Sequence, residues 1–307
     1  MSDARRFQAL FAMLLCTLLW SMAGVVTRHL EAAQGVEVNV WRSGTNALCV
    51  FLILVWSAWR RNGAESARPI SFGQLIWGSS LLWAAMFTSF MLALTQTTVS
   101  NVLIMSSLSP LITALLARLF LKQRLSNITL LAIVIAIAGM CWMFIDGVER
   151  AHSLHNANPL LGVLLASVVP LAAATNFVLL NYGHRTVAAP NMVPAIGLGG
   201  LLSALFTLPF AWPLQASLHD IFWLSFLGVF QLAIPCMLLV WAAHILTPAE
   251  VALMALLEVI FGVLWAWLWA GETPADATIY GGGVVLMALV LNALLGREKT
   301  PTRTGNL

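Results

Sequence analysis

Pro248 to Pro274 reads P-A-E-V-A-L-M-A-L-L-E-V-I-F-G-V-L-W-A-W-L-W-A-G-E-T-P, an apolar run of spanning length with one acid, Glu258, set deep inside it. With a helical rise of about 1.5 Å per residue and a hydrocarbon core of about 30 Å, a residue ten positions in from Pro248 falls near the bilayer midplane. A carboxylate there costs on the order of 3 kcal/mol on insertion scales, so such residues face a bundle interior or an aqueous cavity and mark a substrate or ion path. The competing reading is a neutral acid hydrogen-bonded to a neighbouring helix. Helical spacing puts Met254, Phe261, Gly262 and Trp265 on the same face, so thioether, aromatic rings and acid share one surface. Glu250, at the start of the same helix, reads as a solvated first-turn acid that complements the helix dipole.

The rest of the chain fits a lipid environment. Hydrophobic residues make up 60% of the 307 and charged residues 9%, against roughly a quarter charged in soluble domains. This is the composition of an integral membrane protein, and no polar block of soluble-domain size interrupts it. The net charge of +3 comes from loop lysines and arginines and offers no basic face for nucleic acid. Cys16, Cys49, Cys141 and Cys236 fall in apolar stretches without metal-site spacing, and read as packing residues. The start, M-S-D-A-R-R before an apolar run, could pass for a signal peptide, but the run continues to Val26 and reads as an uncleaved first helix. The chain has no G-x-x-x-x-G-K phosphate loop, H-E-x-x-H zinc pair or G-x-S-x-G nucleophile elbow. The expectation is therefore a non-enzyme without metal or cofactor, in which no process would be driven by its own ATP hydrolysis. His152 and His155 have ligand-like spacing but no acidic or cysteine partners, and read as loop residues.

Ten apolar segments are predicted to span: Ala9–Thr27, Val38–Trp59, Phe72–Leu94, Val99–Leu121, Ile128–Ile145, Leu160–Tyr182, Met192–Trp212, Ile221–Ala243, Ala249–Ala270 and Thr278–Leu295. With the N-terminus cytoplasmic, 12 of the 15 lysines and arginines fall on the cytoplasmic side, leaving Arg28, Arg42 and Arg150 outside. Both termini are then cytoplasmic. Sliding the chain on itself by 149 residues matches Val102, Met105, Leu108, Leu115, Ala117 and Leu119 with Val251, Met254, Leu257, Leu264, Ala266 and Leu268. Five helices per half is odd, so the second half enters from the opposite side. The expected fold is all-α: ten transmembrane helices as two inverted five-helix repeats, residues 9–146 and 159–296, with a cytoplasmic tail at 297–307. Secondary transporters use this architecture for alternating access.

Five stretches carry a family pattern: L-L-W-S-M-A-G (Leu18 to Gly24), V-W-R-S-G at the start of the second segment, S-P-L-I-T-A-L-L-A-R-L-F-L-K-Q-R-L-S (Ser109 to Ser126), A-T-N-F (Ala174 to Phe177) and L-L-E-V-I-F-G-V-L-W-A-W-L-W-A-G-E (Leu256 to Glu272). In this order they resemble the EamA-type permeases of the drug/metabolite transporter superfamily, over roughly residues 9 to 296. The resemblance implies a bacterial inner-membrane carrier of small organic solutes, often an exporter of amino acids or related metabolites, with a central cavity between the repeats. The family commonly reads E-P-V where this chain has Glu258-Val259-Ile260, and losing that proline makes a kink there less expected. Gln123 stands where the family often has Glu.

Candidate substrate-binding residues are Glu258, Arg42, Asn46, Trp20, Trp83, Met86, Met105, Asn176, Trp241, Met254, Phe261 and Trp265. Arg42 has two readings: snorkelling to the external headgroups, or turning inward to offer a planar fork to a carboxylate. Asn46 lies one turn deeper on its face. The tryptophans and methionines either line the cavity or pack the core, and Asn176 either lines it or bonds across helices. Trp56, Trp59, Trp77, Trp212 and Trp223 sit near helix ends and belong to interfacial belts. Pro110, Pro170 and Pro235 interrupt spanning segments, and such breaks often border a transporter's site. An acid, an inward arginine and aromatic walls suit a zwitterion with an apolar side chain. An outward Arg42 would favour an organic cation through cation–π contact. Outside transport, the remaining classes are a membrane sensor or accessory subunit, for which the short loops offer little docking surface, and a membrane-embedded transferase. Expected partners are a small-molecule substrate, the bilayer and, in a homodimer, a second copy.

Overall fold

The computed structural model describes residues 3–23, 26, 30–33, 35–61, 73–96, 102, 105–122, 126–143, 159–185, 191–270 and 276–295. The expectations placed on Gln123, His152, His155, Glu272, the loop at 147–158 and the tail at 297–307 lie outside these residues. Every regular element described is helical. In chain order they are α1 (Asp3–Trp20), α2 (Val36–Arg61), α3 (Gln74–Gln96), α4 (Ser109–Phe120), α5 (Asn127–Met143), α6 (Pro159–Arg185), α7 (Val193–Ala211), α8 (Leu218–Ala242), α9 (Pro248–Ala255), α10 (Leu257–Ala270) and α11 (Asp276–Leu295).

Six stretches are long and apolar enough to cross a membrane among the described residues: within α2, α3, α6, α7 and α8, and over α9 with α10. This is fewer than the ten segments expected. The described apolar parts of α4, α5 and α11 are shorter, at Ser109–Phe120, Asn127–Trp142 and Ile279–Asn292. The burial pattern is that of a protein solvated by hydrocarbon. Phe51, Leu52, Leu115, Leu164, Phe206 and Leu294 face outward, while Thr17, Asn39, Ser43, Asn46, Ser79, Ser80, Asn176 and Ser203 are fully buried. Polar groups with no water outside must find partners inside. Trp56, Trp59, Trp77 and Trp212 lie exposed, with the Arg60 guanidinium 4.2 Å above the Trp56 ring.

Packing follows a regular plan. α2 packs on α7, α5 on α11 and α4 on α9; α3 packs on α6 and α7, and α8 on α1 and α2; α4 also meets α6, and α10 meets α1. Close approach of α7 depends on glycine. A Cβ on Gly200 would sit 2.8 Å from Ser43 O in α2, and one on Gly199 would sit 2.5 Å from the Trp83 Cβ in α3. In the first turn of α2, Glu37 accepts hydrogen bonds from the amides of Gln215 and Ala216. Asp220, fully buried at the start of α8, accepts from Glu31, Ala32 and Ala33 amides at 2.8 Å each.

Among the described residues two helices depart from the regular α form, and both departures shape the site. In α8, residues Leu227–Ala233 form a π-helical segment, with Ile234 N donating to Val229 O. Pro235 follows directly. It has no N–H to give the carbonyl four residues back, and its ring crowds that carbonyl, so the turn widens at Gln231. The second departure corrects an expectation. Although no proline follows Glu258, the ninth segment breaks at Leu256, where Leu256 N bonds to Leu253 O and Val259 N to Leu256 O. These three-residue bonds tighten the turn. Val251 and Ala252 pack with α1 and α8, whereas Leu253 and Leu256 join Leu257, Val259 and Ile260 in a second core with α5 and α11.

Of the prolines expected to interrupt spans, Pro110 sits in the first turn of α4 and Pro170 lies inside a continuous α6. Glu250 is also corrected. It is buried, completes a capping box with Thr247, and accepts from Arg6 Nη2 at 2.6 Å, joining α1 to α9.

Candidate functional site

The tightened turn at Leu256 puts Glu258 in the first turn of α10, where the helix dipole favours a negative charge. Its side chain opens on a cavity of about 130 Å³. The wall takes Trp20 from α1, Arg42 from α2, and Trp83, Met86, Phe87 and Phe90 from α3. Ser106, Ser107 and Ser109 line it at and before the start of α4, Pro170 and Phe177 from α6, and Gln231 from the π-helical turn of α8. Trp83 and Phe87 stack obliquely, with ring centroids 5.4 Å apart.

Among the described residues, Arg42 and Glu258 are the only charged side chains on this wall. No ion pair within 4 Å joins them. Arg42 is 3% exposed, which decides its orientation: it turns inward and does not snorkel. Its Nη1 donates to Gln231 Oε1 at 3.4 Å and its Nη2 to Asn39 Oδ1 at 3.5 Å, while Nε has no partner among the described residues. Both bonds are long beside the 2.7–2.9 Å of a guanidinium on a carboxylate. The Trp83 indole N–H and the Ser109 hydroxyl, both on this wall, are likewise buried without a described partner. A buried donor left unpaired costs about 1–3 kcal/mol, so three in one neighbourhood call for an acceptor group.

Of the twelve expected residues, the structure brings Glu258, Arg42, Trp20, Trp83 and Met86 to this cavity. The other seven lie elsewhere. Asn46 is buried between α2 and α7, donating to Ile196 O at 3.4 Å, and Asn176 Oδ1 accepts from Ser79 Oγ at 2.7 Å. Met105 packs on Ala93, Val102 and Ala166. Trp241 is exposed on the outer face of α8. Met254 bridges two core clusters and Phe261 packs in the second. Trp265 donates to Ser21 Oγ at 2.9 Å. The break at Leu256 accounts for Met254, since it ends the single face that this residue would share with Glu258.

Phe87, Phe90, Ser106, Ser107, Ser109, Phe177 and Gln231 are wall residues that the sequence reading did not single out. Phe177 stood within A-T-N-F and Phe87 one turn after Trp83. For Gln231 the available signal was its place four residues before Pro235.

The EamA-like transporter family model matches residues 7–145 and 160–294. An uncharacterized transporter of Helicobacter pylori is 24% identical over 271 residues, 84% of this chain and 85% of that protein. The uncharacterized transporter YdfC of Bacillus subtilis is 23% identical over 183 residues, 58% of this chain and 57% of that protein, so this match spans little more than half of its length. A crystal structure described only as that of a protein superposes with a TM-score of 0.77 at 15% identity, covering 95% of this chain and 99% of the other. That likeness is one of fold.

Proposed function

The chain belongs to the EamA-like transporter family, and from that premise we propose that it is a secondary carrier of the bacterial inner membrane. It moves a small organic metabolite, such as an amino acid, outward through the cavity by alternating access. The observation that carries this reading is the placing of Arg42 and Glu258, unjoined, on one aromatic-walled cavity. A zwitterion would satisfy both: its carboxylate accepts from the guanidinium and nearby orphan donors, its ammonium meets the acid, and its apolar part lies against Trp83, Met86 and Phe87. The inward Arg42 weighs against an organic cation, which would meet a like charge. Outward direction follows the family analogy.

The architecture proposed for it is ten spans in two inverted units, 9–146 and 159–296, with both termini cytoplasmic. The packing plan supports this. Exchanging α1–α5 for α6–α11 maps α2 on α7, α4 on α9 and α5 on α11 onto themselves, and turns α3 on α6 into α8 on α1. The two segments matched by the family model support it as well.

The test is counterflow. Proteoliposomes loaded with unlabelled neutral amino acids should transiently accumulate the labelled compound, and Arg42→Ala should abolish this. Counterflow by the parent with quaternary amines but with no amino acid would overturn the zwitterion reading.

A further inference from the structure

Two neutral amides hold Arg42, and they differ in how firmly they are themselves held. Asn39 is fully buried and fastened behind: its Nδ2 donates to Ser203 Oγ at 2.9 Å and Thr207 Oγ1 at 3.2 Å, and its Oδ1 accepts from Ser43 Oγ at 3.0 Å. Gln231 lies on the cavity wall and, among the described residues, has only a 3.5 Å bond from Nε2 to Trp20 O behind it. A solute entering the cavity therefore meets Arg42 on its Gln231 side, where the weaker of the two amides can give way.

We propose that Gln231 is the specificity-determining residue of this cavity, its amide oxygen standing where a solute carboxylate docks on Arg42 and yielding to it. This rests on the cavity being the solute site. The chemistry of the side chain suits the role. An amide oxygen partly satisfies the buried guanidinium without neutralising it, so a carboxylate can displace it for shorter, charge-assisted bonds. A carboxylate at position 231 would quench Arg42 permanently and leave Glu258 as the uncompensated charge. The wall would then select cations. The residue is delivered to Arg42 by its local backbone: the π-helical turn before Pro235 carries it, and Gly228, whose Cβ would fall 2.6 Å from Arg42 O, lets α8 lie directly on α2.

The test uses purified full-length protein and three probes sharing one apolar group: L-leucine, 4-methylpentanoate, which lacks the amine, and 3-methylbutylamine, which lacks the carboxylate. Binding is read by thermal stabilisation over a concentration series. The parent should bind leucine, and 4-methylpentanoate more tightly than 3-methylbutylamine. Gln231→Glu should weaken 4-methylpentanoate at least tenfold and reverse that preference. Gln231→Met, of similar length and unbranched, removes the competing oxygen and should bind 4-methylpentanoate as tightly as the parent or more so; this arm stands alone if the Glu variant does not fold. A parent that binds while Gln231→Glu keeps its order of preference, or Gln231→Met binding tenfold more weakly, overturns the role of Gln231 and leaves the cavity reading intact. A parent stabilised by none of the three overturns both.

Discussion

Replacing Glu258 by Gln keeps the shape of the cavity wall and removes only its negative charge. If a solute ammonium docks there, the parent bond is one to a charged group, contributing about 1.5–3 kcal/mol, and the variant bond is a neutral one of about 0.5–1.5 kcal/mol. The difference, about 1.4 kcal/mol, is tenfold in rate or affinity. No large folding cost is expected to mask it, because no hydrogen bond or ion pair in the described structure ends on this carboxylate and no donor is stranded by the change. The other term is the lost attraction to Arg42, which beyond 4 Å in an effective dielectric of about 20 stays below about 4 kcal/mol. Glu258→Gln protein should insert and run as monodisperse parent, while net transport into proteoliposomes falls at least tenfold. Exchange at equal pH separates two roles: it survives if the acid only carries a proton, and falls with net transport if the acid holds the solute. Parent-like net transport by Glu258→Gln from pH 5.5 to 8 would refute the reasoning and return the residue to a structural role.

Asp220→Asn keeps the shape but sets an N–H against amides that now donate to a carboxylate, at about 1–3 kcal/mol for each buried group left unpaired; its apparent Tm in detergent should fall, and an unchanged Tm would contradict this anchoring role. Gly228→Ala puts a methyl 2.6 Å from Arg42 O and 2.8 Å from the Thr45 Cβ, so transport should drop at least tenfold in inserted protein, whereas Gly262→Ala, with nothing within 4 Å, should behave as parent. A cytoplasm-active reporter fused after Leu295 should be active and one in the loop Gly147 to Asn158 inactive; activity in the loop would overturn the ten-span inverted arrangement.

The helical membrane fold was legible because hydrocarbon imposes a simple rule on sequence: long apolar runs, with basic residues at their ends. What the runs do not encode is where a helix stops being regular. The break at Leu256 has no proline or glycine at the break itself, and lies close to where the chain passes from one core, holding Val251 and Ala252, to another, holding Leu253, Leu256, Leu257, Val259 and Ile260. Burial of Glu250 was hidden for a similar reason. Its partner Arg6 lies 244 residues away, and a first-turn acid looks the same in sequence whether water or an arginine meets it.

The site divides along the same physical line. Glu258 and Arg42 stand out in sequence because a charge in an apolar run is costly, and the structure does bring both to one cavity. Gln231 carries no such flag, since an amide in a spanning helix is a common means of joining helices. Its position follows from three local facts that must act together. Pro235 denies a hydrogen bond to the carbonyl of residue 231, the backbone widens into a π-helical turn, and Gly228 lets that turn lie on the backbone of Arg42. Each fact is ordinary alone. Together they put a neutral oxygen 3.4 Å from Arg42, a placement that charge and hydropathy patterns do not report, because it is made by backbone geometry.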